Sequence, residues 1–138
     1  MSPSPIGYSG TPLAKKLGIA EGSRVVAMRA PDNYSQMLAP IPSEVVFEAK
    51  VTQLTDIVHV FSYRKAQLKA ELETLRNSIN PSGVVWVSWP KKASGVLTDI
   101  TDNTIRQLAL PLGFVDIKVC AVSDVWSGLK LVLRKEHR

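Results

Sequence analysis

Ser78-Ile79-Asn80-Pro81-Ser82-Gly83-Val84-Val85-Trp86-Val87 is the stretch on which the fold of this chain turns. It joins the end of an amphipathic helix to a strand that is apolar at successive positions. Upstream of it, Leu68, Leu72, Leu75 and Ile79 recur at spacings of four, three and four, while Lys65, Lys69, Glu71, Glu73 and Arg76 fill the other faces. That spacing predicts a surface helix docked along one stripe, with Ser62 placed to cap its start. Asn80-Pro81-Ser82-Gly83 stops the helix, since proline lacks an amide proton and these residue types favour turns. Val84 to Trp89 is then a strand with an unbroken apolar start, as expected where a parallel sheet is covered on both faces. Trp86 and Trp89 are read as facing one side and Ser88 the other, with core packing sufficient for Trp86.

The same alternation extends in both directions. Thr11-Pro12 reads as an N-cap followed by proline at the first helical position. Leu13, Ala14 and Leu17 form the apolar stripe of a short helix that Gly18 ends. Arg24 to Met28 predicts a strand, Tyr34 to Leu38 a turn or two of helix, Val45 to Phe47 a second strand and Leu54 to Phe61 a third. Downstream, a helix over about Asp102 to Leu110 turns Ile105, Leu108 and Ala109 inward. Two strands close the chain. In one, Val115, Ile117, Val119 and Ala121 alternate with Asp116, Lys118 and Cys120. In the other, Leu129, Leu131 and Leu133 alternate with Lys130 and Arg134. The connection between them, Ser123 to Gly128, is too short for a parallel crossover and must make a hairpin. The expectation is an α/β, Rossmann-like, three-layer fold: a mostly parallel sheet of about six strands with a C-terminal antiparallel hairpin. The Ser, Pro and Gly rich residues 1–10 read as a flexible arm before a single domain over 11–138.

Composition narrows the classes of function. A chain of 138 residues with 45% hydrophobic and 21% charged residues is ordinary globular protein. It can bury roughly two thirds of its unfolded surface without staples. One cysteine, Cys120, excludes an internal disulfide framework and a cysteine-rich zinc site. With only His59 and His137 available as histidines, no metal constellation is read. No stretch is long and apolar enough to span a bilayer, and a cytoplasmic protein is the simplest expectation. The net charge of +5 is spread along the chain and not interleaved with aromatic residues, which disfavours nucleic acid as a partner.

Two resemblances follow from these residues. Ser78 to Val87, with Leu112-Gly113-Phe114-Val115 before the hairpin, resembles the class I, S-adenosylmethionine-dependent methyltransferases over about Arg24 to Arg134. A second likeness is to a group of short bacterial proteins that form a domain of unknown function. It rests on Gly7-Tyr8-Ser9-Gly10-Thr11-Pro12-Leu13-Ala14-Lys15-Lys16-Leu17-Gly18, Trp89-Pro90-Lys91-Lys92-Ala93-Ser94-Gly95 and Val125-Trp126-Ser127-Gly128-Leu129-Lys130, and implies no activity. The methyltransferase resemblance implies a Gly-x-Gly turn after the first strand, where the cofactor meets the backbone. This chain has Met28-Arg29-Ala30-Pro31-Asp32-Asn33-Tyr34, without glycine. It also implies an acid at the end of strand two to hold a ribose, a position Glu48 occupies.

In such sheets ligands bind beyond the carboxyl ends of the strands. Lys91, Lys92, Ser94 and Gly95 are the candidate anion site there, offering two cations and a hydroxyl on one loop. Asp32, Asn33, Glu48, Trp89 and Trp126 are candidate rim residues, Trp126 being read in the hairpin loop as a lid, a partner anchor or a core cover. No catalytic residue or cofactor is assigned. His59 reads as a hydrogen-bonded sheet histidine, and Cys120 has no evident basic partner. The leading expectation is a non-enzymatic, degenerate methyltransferase-like domain that binds a protein partner or a small anionic ligand. The alternatives are an atypical transferase taking S-adenosylmethionine or another nucleotide-like ligand, and a basic nucleic-acid-binding module. A homodimer that covers an exposed sheet edge is also expected as an option.

Overall fold

The computed structural model describes residues 10–138, so the arm expected over 1–10 lies, apart from Gly10, outside the described residues. The elements follow the order α1 (Leu13–Leu17), β1 (Arg24–Met28), α2 (Tyr34–Leu38), β2 (Val46–Phe47), β3 (Ile57–Phe61), α3 (Lys65–Ser78), β4 (Val84–Pro90), α4 (Asp102–Ala109), β5 (Phe114–Ala121) and β6 (Trp126–Leu133). The six strands form one sheet in the order β2-β1-β3-β4-β6-β5. β1 pairs in parallel with β2 and β3, and β3 with β4, whereas β6 runs antiparallel between β4 and β5. This is the α/β arrangement that the alternation predicts.

Helices cover both faces, and the strands other than the short, exposed β2 divide their residues between two cores. On one side α3 and α4 pack Leu68, Leu72, Leu75 and Ile105 against Val58, Val60, Val85, Val87, Leu129, Leu131 and Leu133. On the other, α1 and α2 pack Leu13, Leu17 and Leu38 against Val25, Ile57, Phe61 and Trp86. Burial of this kind is worth roughly 1.5–3 kcal/mol for each large aliphatic side chain removed from water.

Several local expectations are corrected. The α1 cap is Pro12, with no side-chain hydrogen bond, so Thr11 does not cap it; Gly18 ends the helix in the left-handed region, at φ 83°. Ser62 does not cap α3. The helix begins after Arg64, and the Asp99 carboxylate, from 34 residues away, accepts the Lys65 amide proton at 2.6 Å. The third strand starts at Ile57, because Thr52 and Thr55 fold the residues before it into a turn.

Trp86 shares a face with Ser88, not with Trp89. Residues two apart on a strand point the same way, and Gly128 shows it directly: a methyl there would meet Trp86 Cε3 at 3.3 Å and Ser88 Oγ at 3.5 Å. Trp89 lies in the opposite core. β5 departs most. Its register against β6 slips between Asp116 and Lys118, with Ile117 as the extra residue. The slip inverts the alternation, so Val115 and Cys120 share one face while Phe114 and Val119 lie on the other. Ile117 and Val119 are each half exposed on this edge strand. Finally, Trp126 is the first residue of β6, paired with Pro90, and not part of the hairpin loop.

Candidate functional site

β1 has β2 on one side and β3 on the other, so the chain's crossovers diverge between β1 and β3. In open α/β sheets the crevice beyond the strand ends at such a switch point is where ligands bind. Here Arg29, the residue after β1, takes φ 57°, a left-handed conformation uncommon for a side chain of this size. Its Nε donates to the carbonyl oxygen of Phe61 at the end of β3, at 2.9 Å. Its two terminal nitrogens donate to the two carboxylate oxygens of Glu71 on α3, at 2.5 and 2.6 Å. The guanidinium therefore lies across the strand ends at the switch point. A fork-to-fork pair of this geometry fixes orientation well, though part exposure limits its energy to about 1 kcal/mol.

The rest of the carboxyl-end surface divides in two. The Trp89 to Gly95 segment and the hairpin meet: the Lys91 amide donates to the Val125 carbonyl at 2.6 Å, and Pro90 pairs with Trp126. Among the described residues, the ammonium groups of Lys91 and Lys92 make no hydrogen bond or ion pair. Ser94 is occupied, because its hydroxyl donates to the Lys91 carbonyl at 2.6 Å and accepts from the Val96 amide at 3.2 Å. Gly95 sits at φ 75°, ending the short 3-10 turn Lys92–Ser94 with open space beside it. Glu48 stands at the far edge of the sheet, paired with Arg24 at 2.6 and 3.3 Å, and that hydrogen bond holds its carboxyl below the usual range. Asp32 and Asn33 are exposed in the turn after β1. Trp89 and Trp126 are buried, in opposite cores.

Under this surface runs an aromatic cluster. Tyr34 and Phe61 meet edge to face at 5.5 Å, Phe61 and Trp126 at 5.0 Å, and Trp126 and Tyr63 at 5.3 Å. Trp126 thus covers the core. Next to it, Tyr34 Oη lies 2.7 Å from His59 Nδ1, and His59 Nε2 lies 2.7 Å from Ser88 Oγ. His59 is the hydrogen-bonded sheet histidine expected, but its partners were not legible: they depend on the β3–β4 register and on where α2 docks. His59 and Ser88 are fully buried and Tyr34 nearly so. Burial pushes the imidazole down to about 3 and the phenol up. The network resembles a nucleophile–base pair in outline, yet no atom of Ser88 reaches solvent, so its role is to hold the strands and α2 together.

Beside Lys91 and Lys92 the surface is apolar. Tyr63, Val96 and Val125 are each more than a third exposed, and Leu97 is 90% exposed. The Tyr63 carbonyl accepts from Thr98 Oγ1 at 2.7 Å and from the Asp99 amide at 3.3 Å, which ties the Leu97 loop to the end of β3. Sequence reading passed over Leu97 because an isolated loop leucine carries no periodic signal. Cys120 does have cations near it, Lys16 and Lys118, but burial outweighs them and pushes its thiol up. Among the described residues no group of three histidine, cysteine or acidic side chains could hold a metal ion, and no helix is long and apolar enough to cross a membrane.

No family model matches this chain, and no curated protein sequence does. Solved structures do match. A type 11 methyltransferase candidate from Sulfolobus solfataricus superimposes with a TM-score of 0.63 at 11% identity, over 89% of this chain and 90% of that one. An S-adenosylmethionine-dependent methyltransferase from Aquifex aeolicus gives 0.58 at 12% identity, over 88% of each chain. Magnesium protoporphyrin IX methyltransferase from Synechocystis, solved with bound S-adenosylmethionine, gives 0.57 at 12% identity, over 88% of this chain and 74% of that one. At such identities the likeness concerns the fold alone. The chain is a Rossmann-like α/β domain with the architecture of the class I methyltransferases.

Proposed function

We propose that this chain is a non-enzymatic member of the methyltransferase-like fold and binds a protein partner over the carboxyl ends of its strands. One observation carries the reading: the Arg29 guanidinium, held by Phe61 and Glu71, lies across the switch point where a ligand of this fold class would sit. The turn from Arg29 to Asn33 also has no glycine to bring backbone close to a cofactor, and Pro31 withholds one amide.

The character of the surface beside it favours a protein over a small anion. With the Ser94 hydroxyl spent inside its own loop, an isolated phosphate or carboxylate would find two lysines and no converging donors. Leu97, Val96, Val125 and Tyr63 instead offer exposed apolar area, on the loop that follows those lysines and on the segments bonded to it. Apolar anchors flanked by charge suit a partner segment that carries an aliphatic or aromatic side chain among acidic residues.

Panning a displayed peptide library on the purified chain tests this. The expected winners are acidic peptides with one large apolar residue, and their affinity falls at least about tenfold on Leu97→Asp and on the double change Lys91→Glu with Lys92→Glu. A selection without winners, or winners indifferent to both variants, overturns it.

A further inference from the structure

The α3 side of the sheet is covered unevenly. α3 and α4 lie over β3, β4 and β6, but β1 turns Val26 and Met28 toward a trough beside α3. Its volume is about 550 Å³, inside the range of small-molecule sites. Met28 and Val26 form the floor, α3 from Gln67 to Ser78 forms one wall, and the Ala49–Val51 segment leading to β3 forms the other. Eleven residue steps of helix make the wall about 16 Å long.

The polar groups on these walls are mostly committed. Thr74 Oγ1 donates to the Ala70 carbonyl at 3.2 Å and Ser78 Oγ to the Thr74 carbonyl at 2.7 Å, so both present methyl or methylene surface to the trough. The Glu71 carboxylate is neutralised by Arg29. Lys50 is the cation left at the rim: among the described residues its ammonium has no hydrogen bond and no ion pair. Gln67 on the same wall likewise has no side-chain hydrogen bond among the described residues, so an occupant must be apolar along most of its length, pass one neutral amide and carry one negative charge at its end.

We propose that this trough binds a small amphipathic carboxylate, a medium-length aliphatic chain lying along α3 with its carboxylate at Lys50. The site lies apart from the Leu97 surface, so either proposal can fail without the other. Titration calorimetry with dodecanoate below its micelle concentration reads it. The expected result is saturable binding at one site per chain. It weakens at least about tenfold in Lys50→Glu, which reverses the charge, and in Thr74→Leu, which fills the trough from an exposed helix position and favours the helix. S-adenosylmethionine leaves the titration unchanged. Absence of saturable binding, affinity in either variant undiminished from that of the unaltered chain, or displacement by S-adenosylmethionine overturns the proposal, circular dichroism having shown that each variant is folded.

Discussion

Acidification should destabilise this protein well above the range where carboxylates titrate, and His59 is the cause. The imidazole is fully buried, bonded to Tyr34 and Ser88, and held down to about 3, against 6.5 in the unfolded chain. A group whose folded value is depressed contributes stability above its unfolded value and loses it as pH falls from 6.5 toward 3. At pH 5 the unfolded imidazole is almost wholly protonated and the native one is not. The proton binding of the unfolded state alone then favours unfolding by about 2 kcal/mol relative to pH 7.5. Urea denaturation followed by tryptophan fluorescence at the two pH values measures the loss, since Trp86 lies in the same core. His59→Gln keeps an amide able to bond both neighbours but cannot titrate; whatever its absolute stability, its loss over this range should shrink by about 2 kcal/mol. An equal loss in both proteins, or a His59 resonance that titrates near 6.5 in the folded state, refutes the reasoning.

Two other substitutions test the packing. Leu72→Ala empties a fully buried position on the α3 stripe and should cost about 2–5 kcal/mol in the same denaturation assay, the spread reflecting how far the cavity collapses. Gly113→Ala combines strain with a clash: φ there is 97°, and the new methyl would come within 2.7 Å of the His137 ring. About 1–3 kcal/mol of destabilisation is expected, read as a lower thermal midpoint.

The sequence disclosed those parts of the fold that depend on neighbours along the chain. The α3 stripe of Leu68, Leu72 and Leu75, the Asn80 to Gly83 turn and the Leu129, Leu131, Leu133 alternation all stand as read, since each is set by local period and turn chemistry. What failed depended on register or on remote partners. The bulge at Ile117 inverted one strand's faces without any mark in its composition. Asp99 displaced Ser62 as the cap of α3 because tertiary structure delivered its carboxylate to the Lys65 amide.

At the site, the absence of glycine after β1 was plain, but not what replaced it. That Arg29 reaches Glu71 requires knowing that α3 descends beside the β1–β3 boundary. Lys91 and Lys92 follow directly on the carboxyl end of β4. Glu48, by contrast, is committed to Arg24 at the opposite edge, and the Leu97 loop gave no periodic signal at all.

The methyltransferase-like architecture is kept, and on the proposed reading the Arg29 guanidinium takes the place of a cofactor at its switch point. Isothermal titration of S-adenosylmethionine into the purified chain tests that most directly. No measurable heat of binding is expected even with the ligand at millimolar concentration, about −4 kcal/mol or weaker. Saturable binding at one site with micromolar affinity would contradict it, and would return this chain to the cofactor-dependent methyltransferases.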